Sequence, residues 1–406
     1  MKINTKLAWN SELAMSVLFF GVQFNYYIAN ILDANGLPSV APFMYAIIYV
    51  TGLFSYCHTL RRKKALIAFS VMAMLVAMSY GLNYWTRYFM LEGTRFTSPL
   101  FVLTFIYFPI FLLWLSGIDF KKLIYYFEFC APIAAVLGVS SFCVYVFGKK
   151  MMPPEYMAFA YMMMPSVLIC FVFGLNGKKC HLVLACISAF VNMIVGCRGA
   201  AVSIVVFLML SLLYFFHVKR KTSKNRLTKI LVFLLLFAIA VNIGTILNEI
   251  SDTMEKYGLE SRTINKLLDS ESSFDSSSGR DSIFKQAINN ISLFGEGLFG
   301  DRAILHNENG ALTYAHNFIL EIMVDFGLIV GAVVLIVFFA LIIKATHIAI
   351  ASRDSALTGM TFLMLAGLLV KHMVSASFLT SFDFWFYVGL AAHIVINRRD
   401  LKRSTV

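Results

Sequence analysis

The stretch FILEIMVDFGLIVGAVVLIVFFALII at residues 318–343 decides the fold. Between Asp325 and Lys344 it contains no charged residue, and an apolar run of about 20 residues is long enough to cross a bilayer as a helix. Similar windows recur along the whole chain, which predicts an all-α polytopic membrane protein with about twelve transmembrane helices. The windows are 11–32, 38–59, 65–85, 98–117, 123–147, 157–176, 180–196, 199–217, 229–248, 318–343, 356–376 and 381–397.

The composition supports a membrane protein. Of the 406 residues, 59% are hydrophobic and only 14% are charged, whereas a soluble domain is about half apolar and a quarter charged. The formal net charge of +12 could suggest nucleic acid, but the Lys and Arg residues form short clusters between apolar windows, so we exclude a nucleic-acid partner. The seven cysteines lie in or beside the windows without a CxxC pair, as buried thiols do.

The basic clusters also predict the orientation of the chain. Short connections at residues 61–64, 121–122, 178–179 and 219–229 are rich in Lys and Arg, and cytoplasmic loops carry such an excess. Both termini are therefore predicted to be cytoplasmic. The apolar stretch after Lys6 has no small-residue cleavage site and is interpreted as an uncleaved first span.

A long polar connection divides the predicted helices. Residues 1–248 contain transmembrane helices 1–9, residues 249–315 form a large loop on the outer face, and residues 316–406 contain helices 10–12 and a cytoplasmic tail. A loop of this length is usually functional. Apolar residues within 280–291 recur at helical spacing, which predicts a short amphipathic helix with Ser277 or Ser278 as its N-cap. A turn with three glycines follows at 294–300.

Two arginines on the predicted outer face are candidate anion-binding residues. Arg198 lies in the tight turn VGCRGAA at 195–201. It could anchor the helix by reaching the lipid–water boundary, or bind an anionic lipid headgroup such as a diphosphate through paired donors. Arg280 opens the amphipathic helix, where unpaired backbone N–H groups and a guanidinium suit a phosphate. It could equally be an exposed residue paired with Asp275 or Asp281.

His316 is the candidate base. It stands where the long loop re-enters the membrane, and a neutral imidazole there can accept the proton of a sugar hydroxyl near neutral pH. His316 and the adjacent Asn317 could equally cap the following helix, and taken singly the pair favours the cap.

Several ionisable residues lie in or near the spans, and each is a candidate for function by default. Lys371 and Asp383 fall near the outer ends of neighbouring spans, where a structural ion pair is the favoured interpretation. Glu128 and Asp325 are the remaining candidates. We predict no metal site, because His306 and His316 have no ligand-like spacing with a carboxylate or a cysteine.

Five short motifs in a fixed order resemble the O-antigen polymerase and O-antigen ligase superfamily of bacterial membranes. They are GCRGA (196–200), SGRDSIFKQA (278–287), LFGEGLFG (293–300), AHNFILE (315–321) and FGLIVG (326–331). Each motif is short, and the specificity comes from their order on a frame of about twelve spans with one long outer loop. The form SGR, then a glycine-rich turn, then HNF is more similar to the Wzy-type polymerases than to the ligases.

The resemblance implies a metal-independent, inverting glycosyltransferase of the membrane-embedded helical (GT-C-like) class, working without a cofactor. Its donor and acceptor would be undecaprenyl-diphosphate-linked glycans, used at the outer, periplasmic face of the bacterial cytoplasmic membrane to build O-antigen or capsular polysaccharide. Arg198 and Arg280 would hold the diphosphate, and His316 would activate the acceptor hydroxyl. Arg302 and Asn317 are predicted as secondary substrate contacts, and a chain-length regulator is a candidate protein partner.

Three alternatives stay open. An O-antigen ligase would use the same donor but transfer the glycan to lipid A-core. A flippase for the lipid-linked glycan would fit twelve spans, and would have a midplane cavity lined by Glu128 and Asp325. A scaffold for an export complex would leave Arg198, Arg280 and His316 pointing apart, whereas the enzyme requires them to converge on one outer cavity open to lipid.

Overall fold

The computed structural model describes residues 10–92, 98–149, 153, 155–195, 197–218, 243–256, 280–309 and 313–398. Within these ranges the regular structure is entirely helical. The helices are α1 (Ser11–Ala34), α2 (Ala41–Thr59), α3 (Lys63–Leu82), α4 (Arg87–Leu91), α5 (Pro99–Leu115), α6 (Phe120–Lys149), α7 (Tyr156–Leu175), α8 (Lys179–Val195), α9 (Arg198–Val218), α10 (Ile243–Lys256), α11 (Arg280–Asn289), α12 (Gly300–Asn309), α13 (Phe318–Ser352), α14 (Ser355–Val374) and α15 (Phe382–Ile396).

The predicted windows coincide with helices, except that 229–248 lies mostly outside the described residues. In the part of the chain that the structure describes, six helices are long and apolar enough to cross a membrane, namely α1, α3, α6, α7, α13 and α14. Helices α5, α8 and α15 and the segment Gly199–Tyr214 of α9 are shorter apolar helices. This confirms an all-helical chain with several apolar helices, as a multi-pass membrane protein requires. The amphipathic helix predicted at 280–291 is observed as α11, and its predicted caps Ser277 and Ser278 lie outside the described residues.

The helices pack through a buried aromatic cluster and turn apolar faces outward. Phe19 of α1 lies 5.3 Å from Phe127 of α6 and 4.5 Å from Phe386 of α15, measured between ring centroids. Such ring pairs contribute about 0.5–1.5 kcal/mol each beyond the area that they bury. In contrast, Ile336 and Val337 of α13 are more than 60% exposed. Exposed apolar faces on a helix of this hydropathy are suited to lipid.

Helix α13 corrects the expectation of one continuous span over 318–343. Gly327 has φ 76° and ψ 173°, so the helix is broken there and resumes at Leu328. A broken membrane helix is tolerated when other groups satisfy the freed backbone. The glycine-rich turn does so, because Glu296 N–H donates to Val324 O (3.0 Å), Gly297 N–H to Asp325 O (2.9 Å) and Leu328 N–H to Ser292 O (2.8 Å).

The approach of the turn to the break depends on two glycines. A Cβ on Gly327 would come 2.4 Å from Gly295 N, and a Cβ on Gly295 would come 2.4 Å from Asp325 O. Both residues also have positive φ angles, which glycine adopts without steric cost. The glycine-rich turn and the broken helix are thus fitted to each other, and this junction positions the candidate site.

The region predicted as a long loop contains more helix than expected. Helix α12 was not predicted, and α10 runs across the boundary placed at residue 249. Helix α11 packs on α13 through a small apolar cluster in which Ala287, Ala315 and Val324 are buried. The amphipathic helix therefore lies on the bundle.

Candidate functional site

The candidate site is assembled where several helix ends meet. Leu298 N–H donates to Ser79 Oγ at the end of α3 (2.7 Å), and the Tyr314 hydroxyl donates to the backbone oxygen of Ser375 just after α14. Tyr107 of α5 donates to Thr380 O before α15 (3.0 Å). These contacts hold the turn at 294–300, the 313–317 segment and the 375–380 segment together at one end of the bundle.

His316 stands in the 313–317 segment just before the broken helix. Its backbone is left-handed, with φ 53°, a conformation that costs free energy for a residue other than glycine and is concentrated at functional sites. Its ring lies 4.1 Å from the ring of Tyr314, and Nε2 is 3.3 Å from Thr313 Oγ1. Nδ1 is buried and has no hydrogen-bond partner among the described residues.

Two arginines surround this histidine. Burial, then Arg280 and Arg302, lower the pKa of His316 from about 6.5 to about 4. Burial disfavours the imidazolium, and nearby positive charges disfavour it further. His316 is therefore neutral at physiological pH, with a lone pair available to accept a proton.

Arg302 is held in an aromatic frame near the start of α12. Its guanidinium carbon lies 5.2 Å from the Phe299 ring centroid and 5.5 Å from that of Tyr314. Nη2 donates to Thr380 Oγ1 at 3.3 Å, and Nε is buried without a partner in the described part of the chain. No carboxylate oxygen of a described residue lies within 4.0 Å of this guanidinium. A partly buried cation with a free donor is suited to an anionic ligand.

Arg280 opens α11 and is partly buried. Its charge acts on His316, on Tyr314 and on Tyr161 of α7, so it faces the same space as Arg302. The described residues give it no salt bridge, and Asp281 in particular does not pair with it. Its other suggested partner, Asp275, lies outside the described residues.

The Arg198 turn is connected to the site through its backbone. Arg198 opens α9, and only its backbone is described. A Cβ on the next residue, Gly199, would come 2.0 Å from the Tyr161 hydroxyl. Since Tyr161 is also within electrostatic range of Arg280, the start of α9 lies beside the space that Arg280 and His316 face.

Asn317 has the contacts of a helix cap. Its side-chain oxygen accepts from Ile319 N–H (2.9 Å) and Leu320 N–H (3.2 Å), and Nδ2 donates to Met373 O (3.1 Å). Satisfying the free N–H groups at a helix start is the role of an N-cap. The capping alternative left open by the sequence is therefore the one observed for Asn317.

A group of buried carboxyl groups lies behind the arginines. Asp301, Glu321 and Asp325 each have an oxygen within 4.8 Å of the others, and each is at most 2% exposed. Among the described residues this is the one grouping that could hold a metal ion. The cluster was not predicted, because Glu321 and Asp325 share one face of α13, whereas Asp301 joins them only in the folded chain, where Asp325 accepts N–H groups at the start of α12.

The remaining ionisable candidates are engaged elsewhere. Lys371 Nζ and Asp383 Oδ2 are 2.7 Å apart and both buried, which confirms the predicted ion pair. Glu128 pairs with Lys178 at 2.7 Å and is partly exposed. Asp325 accepts Gly300 N–H at 2.9 Å. Glu128 and Asp325 thus have separate partners and do not bind each other.

The sequence analysis also missed Tyr161, Tyr314 and Thr380. Tyr314 packs against both His316 and Arg302, and burial raises its pKa to about 12, so its hydroxyl keeps its proton and acts as a donor. Its position two residues before His316 is the available sequence signal. Thr380 and Tyr161 are distant in sequence and carry no such signal. Together these residues provide cations that can bind an anion, a neutral histidine that can act as a base, and aromatic side chains that line the site.

Residues 182–336 match the sequence family described as O-antigen ligase (Wzy_C). The match confirms the resemblance to the O-antigen polymerase and ligase superfamily. The matched segment contains Arg198, Arg280, Arg302, His316 and Asn317, and it runs past the break in α13. No curated protein matches the chain.

Proposed function

From the match of residues 182–336 to the O-antigen ligase family, we propose that this protein is a membrane glycosyltransferase that polymerises lipid-linked oligosaccharide units. Donor and acceptor are undecaprenyl-diphosphate-linked repeat units, and the product is an O-antigen or capsular polysaccharide. The reaction takes place at the outer face of the bacterial cytoplasmic membrane, and a chain-length regulator is a candidate protein partner.

The observation that carries this proposal is the meeting of two arginines with a neutral histidine. Arg280 and Arg302 both act on His316 electrostatically, and neither has a salt bridge among the described residues. A diphosphate brings the negative charge that these guanidinium groups lack, and guanidinium binds phosphate oxygens through paired donors. We assign the diphosphate to Arg280 and Arg302, with Arg198 at the adjacent start of α9 as a third cation.

The bound diphosphate also prepares the base. With no anion present, burial and then the two arginines hold the pKa of His316 at about 4. An anion bound between them offsets their charge and raises the pKa of His316 towards that of a better proton acceptor. Substrate binding and base strength are thereby linked, so the imidazole becomes most basic when the leaving group is in place.

The proposed reaction is a single displacement. The acceptor hydroxyl oxygen forms a bond to the anomeric carbon of the donor sugar from the face opposite the leaving group. The bond from that carbon to the diphosphate oxygen breaks, and its electron pair leaves with the diphosphate. The hydroxyl proton passes to His316. The arginines stabilise the charge that develops on the leaving oxygen, and the anomeric configuration is inverted.

Gene deletion with complementation tests the proposal. Surface glycan is extracted from the deletion strain and from strains complemented with wild type or His316→Ala, and is separated on a gel. Polymerase activity predicts that deletion leaves single repeat units on lipid A-core and that only the wild type restores the ladder. Restoration by His316→Ala would remove His316 as the base.

An O-antigen ligase is the second candidate, favoured by the description of the matched family. It would use the same arginines and the same base, but its acceptor would be lipid A-core. In the deletion strain all glycan would then be missing from lipid A-core, and lipid-linked polymer would accumulate in the membrane. That result would replace the polymerase assignment.

A flippase is the candidate from another class. It would require Glu128 and Asp325 to line a common path, yet Glu128 binds Lys178 and Asp325 accepts backbone N–H groups of α12. These contacts favour the enzyme. Accumulation of single lipid-linked units on the cytoplasmic face after deletion would instead support the flippase.

A further inference from the structure

The buried carboxyl groups of Asp301, Glu321 and Asp325 connect the segments that carry the candidate site. Asp301 and Arg302 are adjacent on α12, Glu321 lies in the first turn of α13, which begins just after His316, and Asp325 lies just before the break in α13. The three carboxyl groups lie within 4.8 Å of one another. They therefore form a common support beneath Arg302 and His316.

Each carboxyl group ties two segments together. Asp325 caps α12 by accepting N–H groups from Phe299 (3.3 Å), Gly300 (2.9 Å) and Asp301 (3.3 Å). Glu321 accepts the Ser377 hydroxyl and Phe378 N–H (2.9 Å), which fixes the 375–380 segment. Asp301 Oδ2 accepts Ala315 N–H (2.8 Å), the amide that immediately precedes His316.

The hydrogen bonds are unequally distributed over the six oxygens. Both oxygens of Asp325 and both of Glu321 accept hydrogen bonds, so neither group has an oxygen without a donor. Asp301 Oδ1 is buried and has no donor among the described residues. Carboxyl oxygens this close to other carboxyl oxygens carry a proton, because adjacent negative charges in a buried site are too costly to coexist.

We propose that Asp301 is a positioning residue whose Oδ1 carries a proton shared with the neighbouring carboxyl groups. Asp301 thereby fixes the position of His316 relative to Arg302. The proposal rests on the proposed function for the roles of those two residues. It adds a group that touches no substrate in this scheme. Asp301 acts by fixing the amide before His316 to the helix that carries Arg302.

The charges around Asp301 are consistent with a retained proton. Glu321 and Asp325 face it from α13, and Arg302 faces it from α12, while Tyr314, His316 and Arg280 lie one layer further out. Burial raises the pKa of Asp301, and Arg302 with the backbone donors opposes this rise. A single nearby cation does not offset three buried negative charges.

Neutral replacement provides the sharpest test. In Asp301→Asn the amide oxygen can accept Ala315 N–H and the amide N–H₂ can replace the shared proton, so we expect kcat within about twofold of wild type. Asp301→Ala removes both interactions, and displacement of His316 by about 1 Å is expected to lower kcat by up to about 100-fold. The KM for the lipid-linked substrate is expected to change much less than kcat, because Arg280 and Arg302 are both retained and the displaced group is the base. An Asn variant as defective as the Ala variant would overturn the shared proton.

A second measurement is independent of glycosyl transfer. Hydrogen–deuterium exchange of the full-length protein in detergent follows the peptide that contains residues 313–317. We expect faster exchange of this peptide in Asp301→Ala than in wild type, and wild-type exchange in Asp301→Asn. Equal exchange in all three proteins would overturn the positioning role. This result is readable even if the protein acts on another substrate, so the two proposals can fail separately.

A bound cation is the competing explanation for three converging carboxyl groups. Thermal unfolding of the wild type is therefore measured with added Mg²⁺, with added Ca²⁺ and with a chelator. The shared proton predicts the same melting temperature in all three conditions. A rise with either ion that is absent from Asp301→Asn would assign the cluster to that cation instead.

Discussion

Two groups of buried charge differ in how they are compensated. Lys371 and Asp383, both buried, form a direct ion pair of 2.7 Å, and the Lys371 ammonium also lies 5.5 Å from the Tyr161 ring centroid. At the candidate site, Arg280 and Arg302 have no carboxylate within 4.0 Å in the described part of the chain. The charges of the first group compensate each other, whereas the two arginines have no counter-charge among the described residues.

The difference separates a structural role from a functional one. A buried ion pair offsets part of its desolvation cost with its partner, so it can remain without a ligand. An unpaired guanidinium in a partly buried frame gains its counter-charge only when an anion binds. We therefore assign a structural role to the Lys371–Asp383 pair and a substrate-binding role to Arg280 and Arg302.

The largest effect is expected at the base. His316→Ala should lower polymer formation by at least about 100-fold, the lower end of what a general base contributes. Expression and membrane insertion should be unchanged, because among the described residues the neutral ring makes one weak side-chain hydrogen bond, to Thr313. The measurement is polymer formed per amount of membrane-inserted protein. Wild-type polymer from this variant would remove the histidine from the reaction.

A smaller loss of activity is expected when an arginine is replaced by lysine, which keeps the positive charge but lacks the paired N–H donors. Arg280→Lys and Arg302→Lys should each lower activity by about 10- to 100-fold, because lysine cannot bind a phosphate through paired donors. Arg353→Lys, beyond the end of α13 opposite His316, is the matched control and should be neutral. Full activity of both site variants would mean that charge alone is needed.

Disruption of the Lys371–Asp383 ion pair should lower the stability of the protein and not act directly on the glycosyl-transfer step. Lys371→Met leaves the buried Asp383 carboxylate with His372 Nε2, 3.6 Å away, as its remaining neighbour and without a permanent cation, and should destabilise the protein by about 3–5 kcal/mol. Adding Asp383→Asn to this variant should recover part of the loss, since no uncompensated charge remains. Denaturant unfolding in detergent measures both variants. Equal stability of Lys371→Met and wild type would show that the pair does not support the fold.

The sequence predicted the features that depend on local patterns, but not those that depend on contacts between residues far apart in the chain. The helices followed from apolar windows, and the Lys371–Asp383 pair followed from two charges at neighbouring helix ends. The break at Gly327 was not predicted, because the apolar run continues through it and its backbone partners lie some 30 residues earlier, at Ser292 to Gly297. Asp301 was missed for the same reason. Its carboxyl neighbours are close only in the folded chain.

The smallest effect concerns pH. The pKa of His316 is lowered to about 4 by burial and by both arginines, so the free enzyme keeps its base unprotonated until the pH falls to about that value. The acid limb of kcat/KM, which reports the free enzyme, should lie near pH 4, and that of kcat should lie higher because the bound diphosphate offsets the arginines. Arg302→Gln removes one of the causes and should move the limb of kcat/KM upwards. If the acid limbs of the kcat and kcat/KM profiles lay at the same pH, this would contradict the linkage between diphosphate binding and the pKa of His316.

The most direct test of the account is whether the unpaired cations bind a diphosphate while the paired cation does not. Calorimetric titration of inorganic pyrophosphate into the purified full-length protein is compared for wild type, Arg280→Lys, Arg302→Lys and the double variant Lys371→Met/Asp383→Asn. The account predicts that each arginine variant weakens binding about tenfold or more, and that the double variant binds as the wild type does. Equal binding by all four proteins would contradict the assignment of the two arginines to the diphosphate.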